Sequence, residues 1–283
     1  MTRLTFFSIL CIFLFGACTE IEPTIPCLSC DDEDIVIEEF DRKVFIEEFT
    51  GVRCVNCPQG SAEIENLIAV HGEGLIAVSI HSGFFSNPYS ENAYDFRTPK
   101  GDDILNFLGE PLGYPTAIIN RTKFGGEETL FTSQASWSGY IAEQLAVAPS
   151  VSVKIAKNYD STNRKLDITV SGTAVQDINE PLKVTVLITE NNITDTQLLP
   201  SGVSNDYVHK HVLRAVLSNA TGDPLVDDLA TGASYEKTYT FTIPEGDETG
   251  PWNTTNINII AYVHYGSGTT KEVLQAEETH LID

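Results

Sequence analysis

Basic residues are scarce: 17 Lys and Arg stand against 40 Asp and Glu in 283 residues, a formal charge of −23. That balance repels a phosphate backbone, and no Lys/Arg cluster interrupts it, so nucleic acid is excluded as a partner. Long apolar runs are missing after the first 20 residues, so no later segment crosses a membrane as a helix. No Ser-His-Asp order, paired-carboxylate signature or phosphate loop is readable. Internal repeats are absent, and the only biased tract is the acidic run Asp31-Asp-Glu-Asp34. No resident cofactor or metal ion is expected. What is not lacking is core material: 42% of the residues are hydrophobic, which excludes disorder and suffices for one large or two ordinary cores.

One apolar run does open the chain. Leu4 to Phe15 follows Arg3 and ends in Gly16-Ala17-Cys18. It is shorter than the roughly 20 residues of a spanning helix and ends in small residues, the pattern of an export signal over 1–17. A cysteine directly after Gly-Ala resembles a lipobox, which implies lipidation of Cys18 and membrane attachment by lipid alone. Residues 18–41 read as a tether, with Pro23, Pro26, the pair Cys27-Leu-Ser-Cys30 and the acidic run, which is a solvated stretch more readily than a Ca²⁺ site.

Texture changes at 42. Residues 42–49 are β-rich, Thr50-Gly-Val-Arg-Cys54-Val-Asn-Cys57-Pro58 interrupts them, and Ile64, Leu67, Ile68 and Ala69 then recur at helical spacing until Gly72 and Gly74. Leu75–Ile80 follows as a short strand, which makes a βαβ unit with parallel pairing. An irregular stretch over 82–92, a helix over 102–108, a strand opening at Pro115, a turn at Phe124-Gly-Gly126 and a helix over 136–146 complete a first domain, 42–148.

After Ser150 the period is two. Val151/Val153/Ile155, Leu166/Ile168/Val170, Leu182/Val184/Val186/Ile188, Tyr239/Phe241/Ile243 and Ile257/Ile259/Ala261/Val263 alternate between polar clusters. Strands without intervening helices predict an all-β, immunoglobulin-like sandwich over 150–283. The fold class expected is therefore an α/β domain followed by a sandwich, each half with its own core.

The chemistry sits at Cys54 and Cys57. A Cys-x-x-Cys between a strand and a helix puts Cys54 near unpaired N–H groups that favour a thiolate, Arg53 adds a positive charge, and Cys57 is spaced to resolve a mixed disulfide. A structural disulfide is the other reading in an oxidising compartment. A third groups Cys27/Cys30 with Cys54/Cys57 as zinc ligands, against which stand the strand-to-helix position of the second pair and the tether position of the first. Cys27/Cys30 alone read as a small structural disulfide or as an exchange partner. His209 and His211 would share one face of a strand, as a structural pair or as metal ligands.

Phe49-Thr-Gly-Val-Arg-Cys-Val-Asn-Cys-Pro58, with Tyr114-Pro115-Thr116 some 60 residues later, resembles a thioredoxin-like domain. That resemblance implies that Cys54 and Cys57 are catalytic and that Pro115 and Thr116 hold an extended substrate backbone, with Arg53, where most members have Trp, bearing on substrate choice. The whole chain is similar to Gram-negative cell-envelope lipoproteins related to the 28-kilodalton outer membrane protein, which carry a Tyr-Val-His-x-His-Val-Leu-Arg string like residues 207–214. This implies an outer membrane lipoprotein, periplasmic or surface-facing, whose partner is a protein thiol or disulfide or another envelope protein. A non-catalytic surface or adhesion module is the alternative.

Overall fold

Seven consecutive residues, Val44–Thr50, are buried on both sides of the strand β1. That requires a sheet neighbour at each edge and cover on each face. The neighbours are β2 (Leu75–His81), parallel to it, and β3 (Thr116–Ile119), antiparallel. The cover comes from α1 (Cys57–His71) and α3 (Trp137–Leu145) on the side of Val44 and Ile46, and from α2 (Pro99–Leu108) on the side of Phe45 and Phe49. Pro58 suits the first turn of α1, and Gly72, at φ 55°, ends it. Thr98 caps α2 by accepting from Gly101 N at 2.9 Å, so this helix starts three residues before the expected one.

In the computed structural model residues 40–266 and 270–282 are described. The signal over 1–17, Cys18, the pair Cys27/Cys30 and the acidic run lie outside the described residues. The second half contributes β4 (Lys154–Asp160), β5 (Lys165–Thr173), β6 (Leu182–Glu190), β7 (Ile193–Leu199), β8 (Gly202–His209), β9 (Val212–Val216), β10 (Asp223–Val226), β11 (Ser234–Thr242), the two-residue pair β12 and β13 (Gly246–Asp247 and Gly250–Pro251), β14 (Ile257–Tyr265) and β15 (Val273–His280). The described chain is thus mostly β-sheet with few helices.

One eight-stranded sheet runs through both halves in the order β15-β14-β6-β9-β2-β1-β3, with β10 on β6. The junction is β9 beside β2, where Ser79 N donates to His211 O at 2.7 Å. The sheet's far ends also meet: Val273 N donates to Asn120 O at 2.8 Å, and Arg42 reaches the carbonyls of Val273 and Leu274. The described residues accordingly form one compact unit, with hydrogen bonds crossing the sequence boundary at Pro149.

Strands β6 and β14 bury both faces. Val184, Val186, Ile188, Ile259, Ala261 and Val263 pack on the separate sheet β11-β5-β4, whose strands keep the period of two with polar residues outward. Leu187, Ile260 and Tyr262 face the core shared with β1 and β2. β7 and β8 pair only with each other, as a hairpin outside both sheets.

Candidate functional site

At the end of β1 the chain turns tightly before α1. Cys54 N donates to Gly51 O at 3.0 Å and Cys57 N to Cys54 O at 3.3 Å. This brings the two Cα atoms to 5.3 Å, with the sulfurs joined as a disulfide. The helix begins at Cys57, so Cys54 lies three residues before it. Both cysteines are buried, Cys54 3% and Cys57 1% exposed.

The strand that leads into this turn carries a carboxyl that sequence reading missed. Glu48 projects from β1 on the face under α1 and accepts from Ser79 Oγ at 2.7 Å and Ser61 Oγ at 3.1 Å. Burial pushes its pKa up to about 7, against the opposing hydroxyls of Ser79 and Ser61 and the charge of His211. Its neighbour Glu47 faces the other way and has a full partner: Arg121 donates to both its oxygens at 2.8 and 2.7 Å and to Tyr262 Oη at 2.6 Å. Two adjacent acids flanked by Val44-Phe-Ile46 and Phe49 in one strand were the available signal, since a carboxylate is almost never fully buried without a specific reason.

A cavity of about 190 Å³ adjoins Cys57 and is lined by Glu48, Ser61, His81, Gln197, Tyr207 and His209 among others. His81 and His209 are buried 5.7 Å apart between ring centroids, with Phe96 4.6 Å from His209. Burial depresses both imidazoles, His209 to about 4 and His81 well below its ordinary range. At the rim, Glu65 on α1 bonds His211 Nε2 at 2.8 Å and pairs with Lys210; the His211 bond leads in holding its pKa down to about 2. The expectation that His209 and His211 share a strand face fails, because β8 stops at His209 and His211 takes φ 52°. Among the described residues no group of three His, Cys, Asp or Glu is placed to hold a metal.

The other sequence candidates fall around the turn. Arg53 extends sideways: its Nε and Nη2 donate to the carbonyls of Asn87 and Pro88, each at 2.7 Å, and its guanidinium lies 4.1 Å over Tyr89. Pro115, after a cis peptide bond, abuts α1 so closely that a Cβ on Gly60 would come within 2.7 Å of its own. Thr116 is buried and donates its hydroxyl to Thr132 O at 3.0 Å. Tyr207 lines the cavity, whereas Arg214 is remote, paired with Glu190 and 4.3 Å over Trp252.

Leu198 N donates to Val52 O at 2.8 Å, and Gln197 Nε2 to Cys54 O at 3.1 Å and Gly51 O at 3.4 Å, so the β7–β8 hairpin of the second half packs on the cysteine turn.

Among the described residues no helix is long and apolar enough to cross a membrane. No curated protein matches the sequence. Among solved structures the chain is similar to HBP35 of Porphyromonas gingivalis, at TM-score 0.67 and 19% identity, covering 86% of this chain and 76% of that one. It also matches an Agrobacterium tumefaciens protein at TM-score 0.49 and 12% identity, over 85% of this chain and 95% of the other. The model of the outer membrane protein Omp28 matches residues 110–281, more than half of the sequence, and the chain belongs to the Omp28 family of outer membrane proteins.

Proposed function

We propose that the protein exchanges thiols and disulfides through Cys54 and Cys57, in a thioredoxin-like N-terminal half, while anchored by lipid at Cys18 in the cell envelope. The observation that carries the reading is the Cys54–Cys57 disulfide beside a cavity into which Glu48 brings a carboxyl that titrates near neutrality. The order β1-α1-β2-α2-β3-α3, with Pro115 packed on the helix that starts at Cys57, supports the fold.

In the oxidised protein a substrate thiolate attacks Cys54 Sγ, the Cys54–Cys57 bond breaks, and Cys57 leaves as a thiolate that takes a proton from the Glu48 carboxyl. A second substrate thiolate then attacks the substrate sulfur of the mixed disulfide and releases Cys54 as a thiolate, which takes up a proton from solvent. The substrate loses two electrons to form its disulfide, and the protein becomes a dithiol. In reverse, reduced Cys54 attacks a substrate disulfide and Glu48 takes the proton from Cys57 as Cys57 resolves the intermediate. By the resemblance to a thioredoxin-like domain, Pro115 and Thr116 would hold the extended substrate backbone.

The test is a trapping pair. Cys57→Ser accumulates mixed disulfides through Cys54 on membranes, because the resolving thiol is gone, whereas Cys54→Ser accumulates few. In the reduced wild type Cys54 alkylates before Cys57. Failure of both observations overturns exchange. Burial of both cysteines favours a second reading, a surface module with a structural disulfide. Under it, the disulfide is reduced only on unfolding and nothing is trapped. For the anchor, Cys18→Ala releases the protein from membranes, and absence of fatty-acid labelling in the wild type overturns that part.

A further inference from the structure

The hairpin β7–β8 belongs by sequence to the second half, pairs with neither sheet, and yet touches the cysteine turn at three acceptors. We propose that the site is composite: the hairpin completes it, and Gln197 is the positioning residue that fixes the Gly51–Cys54 turn and stabilises the Cys54 thiolate of the reduced form. This rests on the exchange reading for its functional meaning, but not for its test.

Geometry carries the proposal. Gln197 is 3% exposed, and its side-chain amide donates to the carbonyls of Gly51 and Cys54, the two ends of the turn, and to Leu198 O at 3.1 Å. A buried amide satisfied by main-chain carbonyls of a distant segment fixes that segment's path, because leaving any partner unpaired is costly. The hairpin is held against the turn by more than this side chain. Leu198 N bonds Val52 O, and Ile193 packs with Val52, Phe96 and Val212 in a small apolar cluster. Loss of the amide therefore leaves the hairpin seated and changes what the turn feels.

The electrostatic consequence follows from sign. The Cys54 carbonyl turns its negative end toward the Gln197 N–H groups and the Cys57 N–H. Each donor offsets a partial negative charge on the same residue that bears the thiolate once the disulfide is reduced. Removing the Gln197 donor leaves that carbonyl less compensated and raises the Cys54 thiol pKa. Replacing it by a carboxylate raises the pKa further. Glu48 from β1, Glu65 from α1, His81 from β2, His209 from β8, and Lys210 and His211 after it also face the cavity or its rim. All are common to every variant, so differences report Gln197 alone.

The experiment uses the reduced full chain and measures the pH dependence of iodoacetamide alkylation at Cys54, together with the equilibrium of the Cys54–Cys57 pair in glutathione buffers. Gln197→Met keeps the length without the donor; Gln197→Glu keeps the shape and adds charge; Gln197→Asn keeps an amide too short to reach the Cys54 carbonyl. The alkylation midpoint rises in the order wild type, Met, Glu. A rise of about half a pH unit slows the reaction at pH 7 by about threefold, because only the thiolate reacts. The glutathione equilibrium moves toward the disulfide in the same order, and Asn resembles Met. A purely structural role would lower the melting temperature without ranking Glu beyond Met in thiol reactivity. Unchanged midpoints and equilibria in folded Met and Asn variants overturn the proposal. If Met unfolds, Asn decides by the same readings. Failure of Cys57→Ser to trap a substrate, with the ranking intact, sinks the exchange reading and leaves the composite site standing.

Discussion

Replacing Glu48 by Gln should make the protein more stable at alkaline than at acid pH, relative to the wild type. The side chain keeps its volume and can still accept from Ser79 Oγ, which lies 2.7 Å from the carboxyl, but it no longer ionises. In the wild type the unfolded chain ionises Glu48 near the ordinary 4.5, and the folded protein only near 7. Between those values the unfolded state binds fewer protons, so stability falls as pH rises. At about 1.4 kcal/mol per pH unit the gap is worth about 3 kcal/mol. His209 works in the opposite direction: burial holds its folded pKa at about 4, so acid below its ordinary 6.5 costs stability. That contribution is the same in both proteins and cancels in the difference. Urea unfolding of the oxidised forms at pH 5, 6, 7 and 8 should show the advantage of Glu48→Gln growing by about 2–3 kcal/mol, most of it below pH 7. A difference flat to within about 1 kcal/mol would mean that the carboxyl is ionised and partnered in the fold, and the proton-transfer role would fall with it.

Three further outcomes are expected. Arg121→Met strands the fully buried Glu47 carboxylate and should cost about 3–5 kcal/mol in urea unfolding, whereas the joint change with Glu47→Leu should recover most of it; equal losses would contradict the pairing. Gly60→Ala should destabilise by about 1–3 kcal/mol although Ala is the better helix former, because its Cβ meets Pro115 at 2.7 Å; a gain in melting temperature would count against that packing. A fragment ending at Ala148 lacks β9 beside β2 and the Tyr262 partner of Arg121, so its thermal transition should be broad or absent by circular dichroism; a sharp two-state melt would show that the first half folds alone.

Where periodicity is a local property, the sequence was readable. β5 and β11 alternate as their residues do, whereas β6 and β14, expected to alternate, bury both faces because a second sheet covers one and the core shared with β1 and β2 the other; α1 stops at Gly72 where the chain needs a positive φ. Where an element's meaning depends on a distant neighbour, it was not. β9 is five residues long, and nothing in Val-Leu-Arg-Ala-Val announces that it sits between β2 and β6 and turns two expected cores into one sheet. Residues 205–214 read as irregular because β8 ends at His209 and the chain reverses through His211 before β9 begins. Short strands with a break carry too little period to be recognised alone.

The site divides along the same line. Cys54 and Cys57 were legible because their spacing suggests a pair, and Pro115 through the resemblance to a thioredoxin-like domain; the turn does bring the two cysteines together. Arg53 was legible as a charge but not as a direction: its guanidinium is held by the carbonyls of Asn87 and Pro88, so its influence on a Cys54 thiolate is set by that loop instead of by adjacency in sequence. Glu48 and Gln197 are polar residues whose type is common on surfaces, and only burial reveals that one titrates near neutrality and the other bonds the turn. The two come from opposite halves of the chain and meet at one cavity. A disulfide that only joined neighbouring residues would need neither a buried carboxyl on the cavity beside it nor an amide brought from about 140 residues away. Each of these buried polar groups carries a desolvation cost that apolar residues would avoid. That cost is the physical reason to look for chemistry at this turn.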